Sequence, residues 1–296
     1  MARFGAAVDG FGGLNVAEGW FGKRFKRDEV RQRIADVAEG MWDKCPRCGE
    51  IQYSAELVRN WKVCKKCAFH FRLTAQERID LLADEPEAFE RWDEDLTTVN
   101  PLAFPLYLEK LEGHKEKTGL SEAIVTGEAR IGGVTVALGI TDPHFKMGTM
   151  NSVVGERIAL CAERAIDRRI PLVLVCGSGG GARMEEGILS LMQMAKTSAV
   201  LGRFKAETRS FYISVLTDPS MGGTLASWAS LGHVAYAEPG AMIGFAGQRV
   251  SAQVQSGKVP ANYQSSEFQL EHGQADAIVH RKDLKDTIAR TLQWAA

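Results

Sequence analysis

Four cysteines come as two pairs, Cys45-Pro-Arg-Cys48 and Cys64-Lys-Lys-Cys67, with fifteen residues between them. Two turns that each present a pair of thiolates supply the four soft ligands of a tetrahedral Zn²⁺. Gly49, directly after the first pair, permits the tight turn that such a knuckle needs. Cysteine fills every coordination position and leaves none open for water or substrate, so the expected single zinc is structural. The competing readings are two reduced pairs without metal and a redox pair. Against the latter, nothing places either pair on the first helix of a thioredoxin-like βαβ unit. His70 reads as a neighbour of the site or a surface residue rather than a ligand. Arg47, Lys62, Lys65 and Lys66, with Trp61 and Phe69, would suit contact with nucleic acid. A solvated basic face on a small packed module accounts for them more simply.

The second set is glycine. After the apolar run Val173–Cys176 come Gly177, Ser178, Gly179, Gly180, Gly181, Ala182 and Arg183. Gly177, Gly179 and Ala182 match a dinucleotide fingerprint, but the acid expected ~20 residues further on is missing. A phosphate-binding P-loop fails for want of Lys-Ser/Thr after the last glycine. A nucleophile elbow needs glycine where Cys176 stands, so Ser178 reads as a turn residue. What remains is a glycine-lined helix start, whose unpaired N–H groups can face an oxygen that gains negative charge. Asp218-Pro-Ser-Met-Gly222-Gly223-Thr224 repeats that layout about forty residues later. Two such turns converging would make an oxyanion hole.

The elements that must position these turns can be read from periodicity. Thr74 followed by Glu77 predicts a capping box opening a helix over Thr74–Leu82. Ala123–Ile131 and Val134–Ile140 flank Gly132-Gly133 as a hairpin. Asn151–Arg168 is helical, Pro171–Cys176 is a strand covered on both faces, and a long helix is expected from about Ala182 to Phe204. Phe211–Leu216 repeats the strand, Thr217–Gly223 the loop and Thr224–Leu231 a shorter helix. Ala241–Phe245 is a further strand and Lys282–Trp294 a closing helix. Strand, glycine loop and helix, used twice, imply α/β layering with parallel strands. The expected organisation is a mobile segment over 1–40, a ribbon over 41–73, a helical linker over 74–120 and the main domain over 121–296.

Composition sets limits on function. The chain has 296 residues and a formal net charge of −1, which argues against a protein coating nucleic acid or anionic membrane over its whole surface. Charge is segregated all the same, with 14 Lys/Arg against 9 Asp/Glu in residues 1–73. No apolar run approaches the ~18–20 residues needed to span a bilayer, and Asp9 and Glu18 sit where a signal peptide would be apolar. A cytoplasmic location is expected.

Taken together, Gly180–Glu186 (GGARMEE), Ser190–Thr197 (SLMQMAKT), Ser214–Gly223 (SVLTDPSMGG) and Ile243–Gly247 (IGFAG) resemble the β subunits of bacterial acetyl-coenzyme A carboxylase carboxyltransferase. Gln264–Phe268 (QSSEF), Glu271–Gly273 (EHG) and the cysteine module with Ala55–Leu57 (AEL) fit as well, so the resemblance runs from about Met41 to the C-terminus. It implies an α/β fold, a crotonase/ClpP-like spiral of ββα units behind a small four-cysteine zinc ribbon. It also implies transfer of a carboxyl group from carboxybiotin, on a biotin carboxyl carrier protein, to acetyl-CoA, giving malonyl-CoA. The partners implied are an α subunit supplying the other wall of the cleft, as an α2β2 heterotetramer, and biotin carboxylase in the larger complex. Gly180, Gly181, Gly222 and Gly223 would donate to the reacting oxygens. Gly179, Ala182, Arg183, Met221, Phe245 and Gly247 would line the substrate site. For Arg183, contact with a coenzyme A phosphate and a structural place at a helix start both stay open. The sequence departs from the family at Gly177 and Gly179, where serine is usual, at Asn151, where glycine is usual, and at Gln248, where proline is common. Three other functions compete: a CoA hydratase or isomerase of the same fold, a β subunit for another acyl-CoA, and a ribbon-based nucleic-acid binder.

Overall fold

The chain is seen in a computed structural model that describes residues 41–246 and 260–294. The segment 1–40, Gly247 and Gln248 lie outside the described residues. Strands β1 (Trp42–Lys44) and β2 (Ile51–Tyr53) pair antiparallel, and helix α1 (Ser54–Arg59) follows. Cys64 and Cys67 then form a second turn facing the first. Helix α2 (Ala75–Leu82) opens on the expected capping box: Thr74 accepts from Glu77 N–H, and the Glu77 side chain accepts from Thr74 N–H.

The main sheet begins earlier in the chain than the expected boundary at 121. Strand β3 (Glu90–Trp92) pairs with β4 (Ile124–Ile131), and Trp92 is part of the core. The stretch 74–120 thus adds an edge strand as well as α2 and α3 (Tyr107–Thr118). Strand β4 pairs with β5 (Val134–Thr141) through the Gly132-Gly133 turn, where φ values of 57° and 79° suit glycine. Helix α4 (Ser152–Arg168), strand β6 (Leu172–Ser178), helix α5 (Gly187–Glu207) and strand β7 (Tyr212–Met221) follow. Next come a short helix α6 (Gly222–Thr224), continued by a π-helical turn over Leu225–Ala229, and strands β8 (Val234–Ala237) and β9 (Ile243–Gly244). Helix α7 (Ser266–Glu271), strand β10 (Ala277–Ile278) and helix α8 (Arg281–Trp294) close the chain.

Along the sheet the order is β10-β8-β7-β6-β5-β4-β3, parallel from β10 to β5 and antiparallel beyond, with β9 joined to the end of β7. β6 is buried at all seven positions, as its unbroken apolar run predicts for a strand covered on both faces. α2 and α8 pack on β4 and β5, and α4 packs on the same two strands and along α5.

Two boundaries differ from expectation where the glycine turns lie. The long helix starts at Gly187, not Ala182. Ala182 bridges Met150 like a strand residue, Arg183 N–H donates to Met150 O at 2.8 Å, and a 3₁₀ turn over Met184–Glu186 precedes the helix. These backbone bonds hold the segment extended, and Gly187, at φ 50°, ψ −126°, makes the break. Conversely β7 runs on to Met221 through a cis Asp218-Pro219 bond, because β9 pairs with its far end, and the next helix starts at Gly222 instead of Thr224.

Ribbon and sheet meet over a buried ion cluster. Glu238, at the end of β8, accepts from Arg78 of α2 at 2.5 and 2.8 Å and from Arg281 of α8 at 2.8 and 2.8 Å. Arg281 also donates to the carbonyls of Trp61 and Phe71, at 2.6 and 2.8 Å, on either side of the second cysteine turn. Burial alone would push the Glu238 carboxyl up, but the two guanidinium groups hold it well below the usual carboxylate range. Breaking such a cluster by removing one partner costs about 3–5 kcal/mol, so the cluster fixes how the ribbon sits.

Candidate active site and metal centre

The four thiols gather as their spacing predicts. Their Sγ atoms lie within 4.8 Å of one another, with Cys45 to Cys67 at 3.6 Å and Cys48 to Cys64 at 3.8 Å. A tetrahedron with Zn–S bonds of about 2.3 Å has edges of about 3.8 Å, so the donor set fits zinc without rearrangement. Gln52 braces it: Nε2 donates to Cys64 Sγ at 3.1 Å, and Oε1 accepts from Lys65 N–H at 3.0 Å. Burial pushes the thiols up, but N–H groups of Cys67 and Lys66 hold the Cys64 thiol below its usual range, while burial and the neighbouring thiols push Cys67 up, so one thiolate forms first in the cluster. His70 is no ligand. It is buried, packed edge-on against His280, with Nδ1 3.9 Å from Glu238.

The glycine turns meet backbone to backbone. A Cβ placed on Gly181 would lie 2.8 Å from Gly223 N and 3.3 Å from Gly222 Cα, and one on Gly222 would lie 3.1 Å from Gly181 Cα. Only glycine allows this approach, and Gly181 and Gly222 both take positive φ, 61° and 63°. Gly223 is the second residue of α6, where an N–H has no acceptor within the helix. On the first turn Gly179 N–H is already donated to Met147 O at 2.8 Å. Among the described residues the N–H groups of Gly180 and Gly181 take no backbone acceptor. The available donors therefore come from an extended turn on one side and a helix start on the other, not from two helix starts.

Beneath the first turn lies a buried polar network. Arg183 is 1% exposed and donates to both Glu122 oxygens at 2.6 and 2.9 Å, to Tyr107 Oη at 3.1 Å and to Thr149 O at 2.9 Å. Asn151 donates to Glu122 and Glu186, each at 3.0 Å, and accepts from Val154 N–H as the cap of α4. Glu186 accepts in addition from Tyr107 Oη and Ser152 N–H, both at 2.9 Å. Burial of Tyr107 pushes its phenol pKa up to about 12, so it serves as a neutral donor. Of the two roles left open for Arg183, the structure gives the supporting one: its guanidinium is occupied under the turn. Glu122, Tyr107 and Thr149 escape sequence reasoning. Their only signal is an isolated acid, Glu122, just before the apolar strand Ala123–Ile131.

The remaining residues frame the turns. Met221 is buried at the end of β7, and Phe245 is 69% exposed with its carbonyl 3.6 Å from a Cβ built on Gly222. Ser178 is the last residue of β6 rather than a turn residue, and its Oγ is buried with no hydrogen-bond partner among the described residues, so no base is in contact with it there. Glu185 is paired with Lys146 at 2.5 Å and Glu186 is held in the network, so neither is free to act as a base. Next to the turns the first half of α5 presents Ile188, Leu191 and Met192 to solvent, with Met184 before them, all more than half exposed.

Comparison with known proteins agrees with this geometry. Residues 72–293 match the Carboxyl transferase domain family and residues 42–67 the Acetyl-CoA carboxylase zinc finger domain family. The chain is 54% identical over 257 residues to the acetyl-coenzyme A carboxylase carboxyl transferase subunit beta of Desulforamulus reducens, covering 87% of this chain and 88% of that protein. It is 50% identical over 265 residues to the protein of the same name from Brevibacillus brevis, covering 90% and 84%. In fold it is similar to the transcarboxylase 12S core, with TM-score 0.63 and 20% identity over 90% of this chain and 46% of that one. It is also similar to a Pseudomonas malonate decarboxylase hetero-dimer, with TM-score 0.58 and 19% identity over 75% and 86%. The crotonase-like α/β fold with an N-terminal zinc ribbon is thus the architecture of this chain. It belongs to the family of acetyl-coenzyme A carboxylase carboxyl transferase β subunits.

Proposed function

We propose that this β subunit holds the thioester of acetyl-CoA at the paired glycine turns and, with carboxybiotin on a biotin carboxyl carrier protein, forms malonyl-CoA. The observation that carries this reading is the contact of Gly181 with Gly222 and Gly223, which brings together two glycine turns whose N–H groups at Gly180 and Gly181 take no backbone acceptor among the described residues. Loss of the α-proton turns the thioester into an enolate, and loss of CO₂ from carboxybiotin leaves a ureido anion. In each case the charge rests on an oxygen, and removing one such donor typically costs about 3–4 kcal/mol of barrier stabilisation. The ureido anion takes the proton and the enolate carbon attacks the CO₂, so no side-chain nucleophile is needed. The pairing of Glu185 and the burial of Glu186 speak against a hydratase or isomerase, which would need a carboxylate base beside the turns.

Holding two ligands with reacting atoms ~3–3.5 Å apart needs two walls, and this chain supplies one. The exposed apolar residues Met184, Ile188, Leu191 and Met192 suit burial under an α subunit, in an α2β2 heterotetramer served by biotin carboxylase, the ATP-using component. The setting is the cytoplasm, at the first committed step of fatty acid synthesis. The experiment is reconstitution: malonyl-CoA formation from acetyl-CoA and carboxybiotin is measured with the chain alone and with the α subunit added. Turnover only in the mixture supports the proposal, and robust turnover by the chain alone defeats it.

A further inference from the structure

Lys146, Met147 and Gly148 take φ values of 46°, 58° and 66°, three left-handed residues in a row. Glycine adopts that conformation freely, but a lysine and a methionine do so at a cost. Such strain persists only where the surroundings over-determine it, and it concentrates at functional sites. Here the surroundings do so. Gly148 N–H donates to Phe145 O at 2.9 Å, Thr149 Oγ donates to Lys146 O at 3.0 Å, and Lys146 Nζ is paired with Glu185. A Cβ placed on Gly148 would lie 2.4 Å from Gly177 O, so the segment is pressed against the end of β6. Met147 O accepts from Gly179 N–H and Gly181 O accepts from Met150 N–H, both at 2.8 Å. The left-handed segment is thereby laced along the first glycine turn.

None of these bonds uses the Met147 side chain, which has its own place. A Cβ placed on Gly179 would lie 2.8 Å from Met147 Cε and 2.9 Å from Pro219 Cγ, and one on Gly180 would lie 4.0 Å from Met147 Cβ. The thioether therefore runs along Gly179 and Gly180 and meets Pro219 of β7, the strand that leads into the second glycine turn. Gly180 and Gly181, whose N–H groups take no backbone acceptor among the described residues, are the next residues along. Met147 is nevertheless 45% exposed and outside the hydrophobic core. Packing of the fold does not account for a methionine where glycine would sit without strain; a ligand that meets its side chain does.

We infer that Met147 sets the acyl-chain limit of this enzyme: its thioether, with Pro219, closes the Gly179 end of the space between the glycine turns, so that the site takes an acetyl group and rejects longer acyl chains. This rests on the reading that the thioester of acetyl-CoA is held at those turns. An unbranched thioether is polarizable and shapes itself to a small apolar group, and one methylene more or less in an apolar pocket is worth about 10–200-fold in kcat/KM.

The test uses the zinc-loaded chain reconstituted with its α subunit and supplied with carboxybiotin. kcat/KM is measured for acetyl-CoA and for propionyl-CoA, whose carboxylation at the same α-carbon gives methylmalonyl-CoA, in wild type, Met147→Gly, Met147→Ala and Met147→Leu. Met147→Gly suits the left-handed backbone and should keep the fold, checked by thermal unfolding. Met147→Ala removes the thioether but keeps the Cβ, which separates loss of the side chain from relief of the backbone. The propionyl-to-acetyl ratio of kcat/KM should rise about tenfold or more in both truncations. In Met147→Leu, which restores the bulk, it should stay within about threefold of wild type. A purely structural role would lower both rates together and leave the ratio in place. A ratio unmoved in Met147→Gly and Met147→Ala, or an equal loss for both substrates, overturns the assignment. Failure of the underlying reading shows separately, as malonyl-CoA formation that survives Gly222→Pro with Met147 intact.

Discussion

The ribbon and the carboxyltransferase unit solve the same problem, holding a backbone turn in a fixed shape, by different means. In the ribbon the buried set is thin: Leu57, Val63, Cys45 and Cys64 are covered, while Trp42, Ile51, Tyr53 and Val58 are exposed. Its two turns are shaped to present four thiols to one point. In the carboxyltransferase unit the turn after β6 rests on a sheet buried on both faces and on the network of Arg183, Glu122, Tyr107, Asn151 and Glu186. A small module without much core leans on a metal. A large one can bury charges, because it has enough partners to satisfy them. The first glycine turn is held while the N–H groups of Gly180 and Gly181 take no backbone acceptor among the described residues.

The strongest way to break the comparison is to remove the metal. Structural zinc contributes about 10–16 kcal/mol in ribbon-like modules, so chelation should open residues 41–67 to protease while the carboxyltransferase unit keeps a cooperative thermal transition. Loss of both transitions together would show that the ribbon and the sheet fold as one unit through Glu238 and Arg281. Next in size is Arg183→Met, which leaves Glu122 as an uncompensated buried charge. Denaturant unfolding should show a loss of about 3–5 kcal/mol, and a loss below about 1 kcal/mol would mean that the network does not carry the turn.

A third test separates donors from scaffold. Gly222→Pro removes one N–H and cannot adopt φ 63°. Activity of the reconstituted enzyme should fall by about 10²–10³-fold; circular dichroism and zinc content serve to confirm that the variant is folded. The smallest effect belongs to Ser178→Ala. Its hydroxyl is buried without a partner among the described residues, so kcat should stay within about threefold and stability within about 1 kcal/mol. If this variant were as inactive as Gly222→Pro, covalent catalysis would replace the oxyanion account.

Much of this was legible in the sequence because it is local. The zinc centre is fixed by short spacings and one soft ligand type, and the capping box of Thr74 and Glu77 spans a single helical turn. The hairpin through Gly132-Gly133 and the all-apolar β6 follow from period and turn chemistry alone. The glycine content of 180–181 and 222–223 announced two close-approach turns, though not that they approach each other.

What only the tertiary structure decided depends on partners distant in sequence. Arg183 could read as a phosphate ligand until Glu122, 61 residues away, was found beneath it. The start of α5 shifted from Ala182 to Gly187 because Met150, far back in the chain, pairs with Ala182 and draws the segment into an extended bridge. Glu238 shows no pattern in its own stretch, and its role exists only where Arg78 and Arg281 meet it 160 and 43 residues away. Periodicity and capping report the balance of backbone and solvent over a few residues. The pairing of buried charges reports which surfaces the fold brings together, and that is set by packing the whole chain at once.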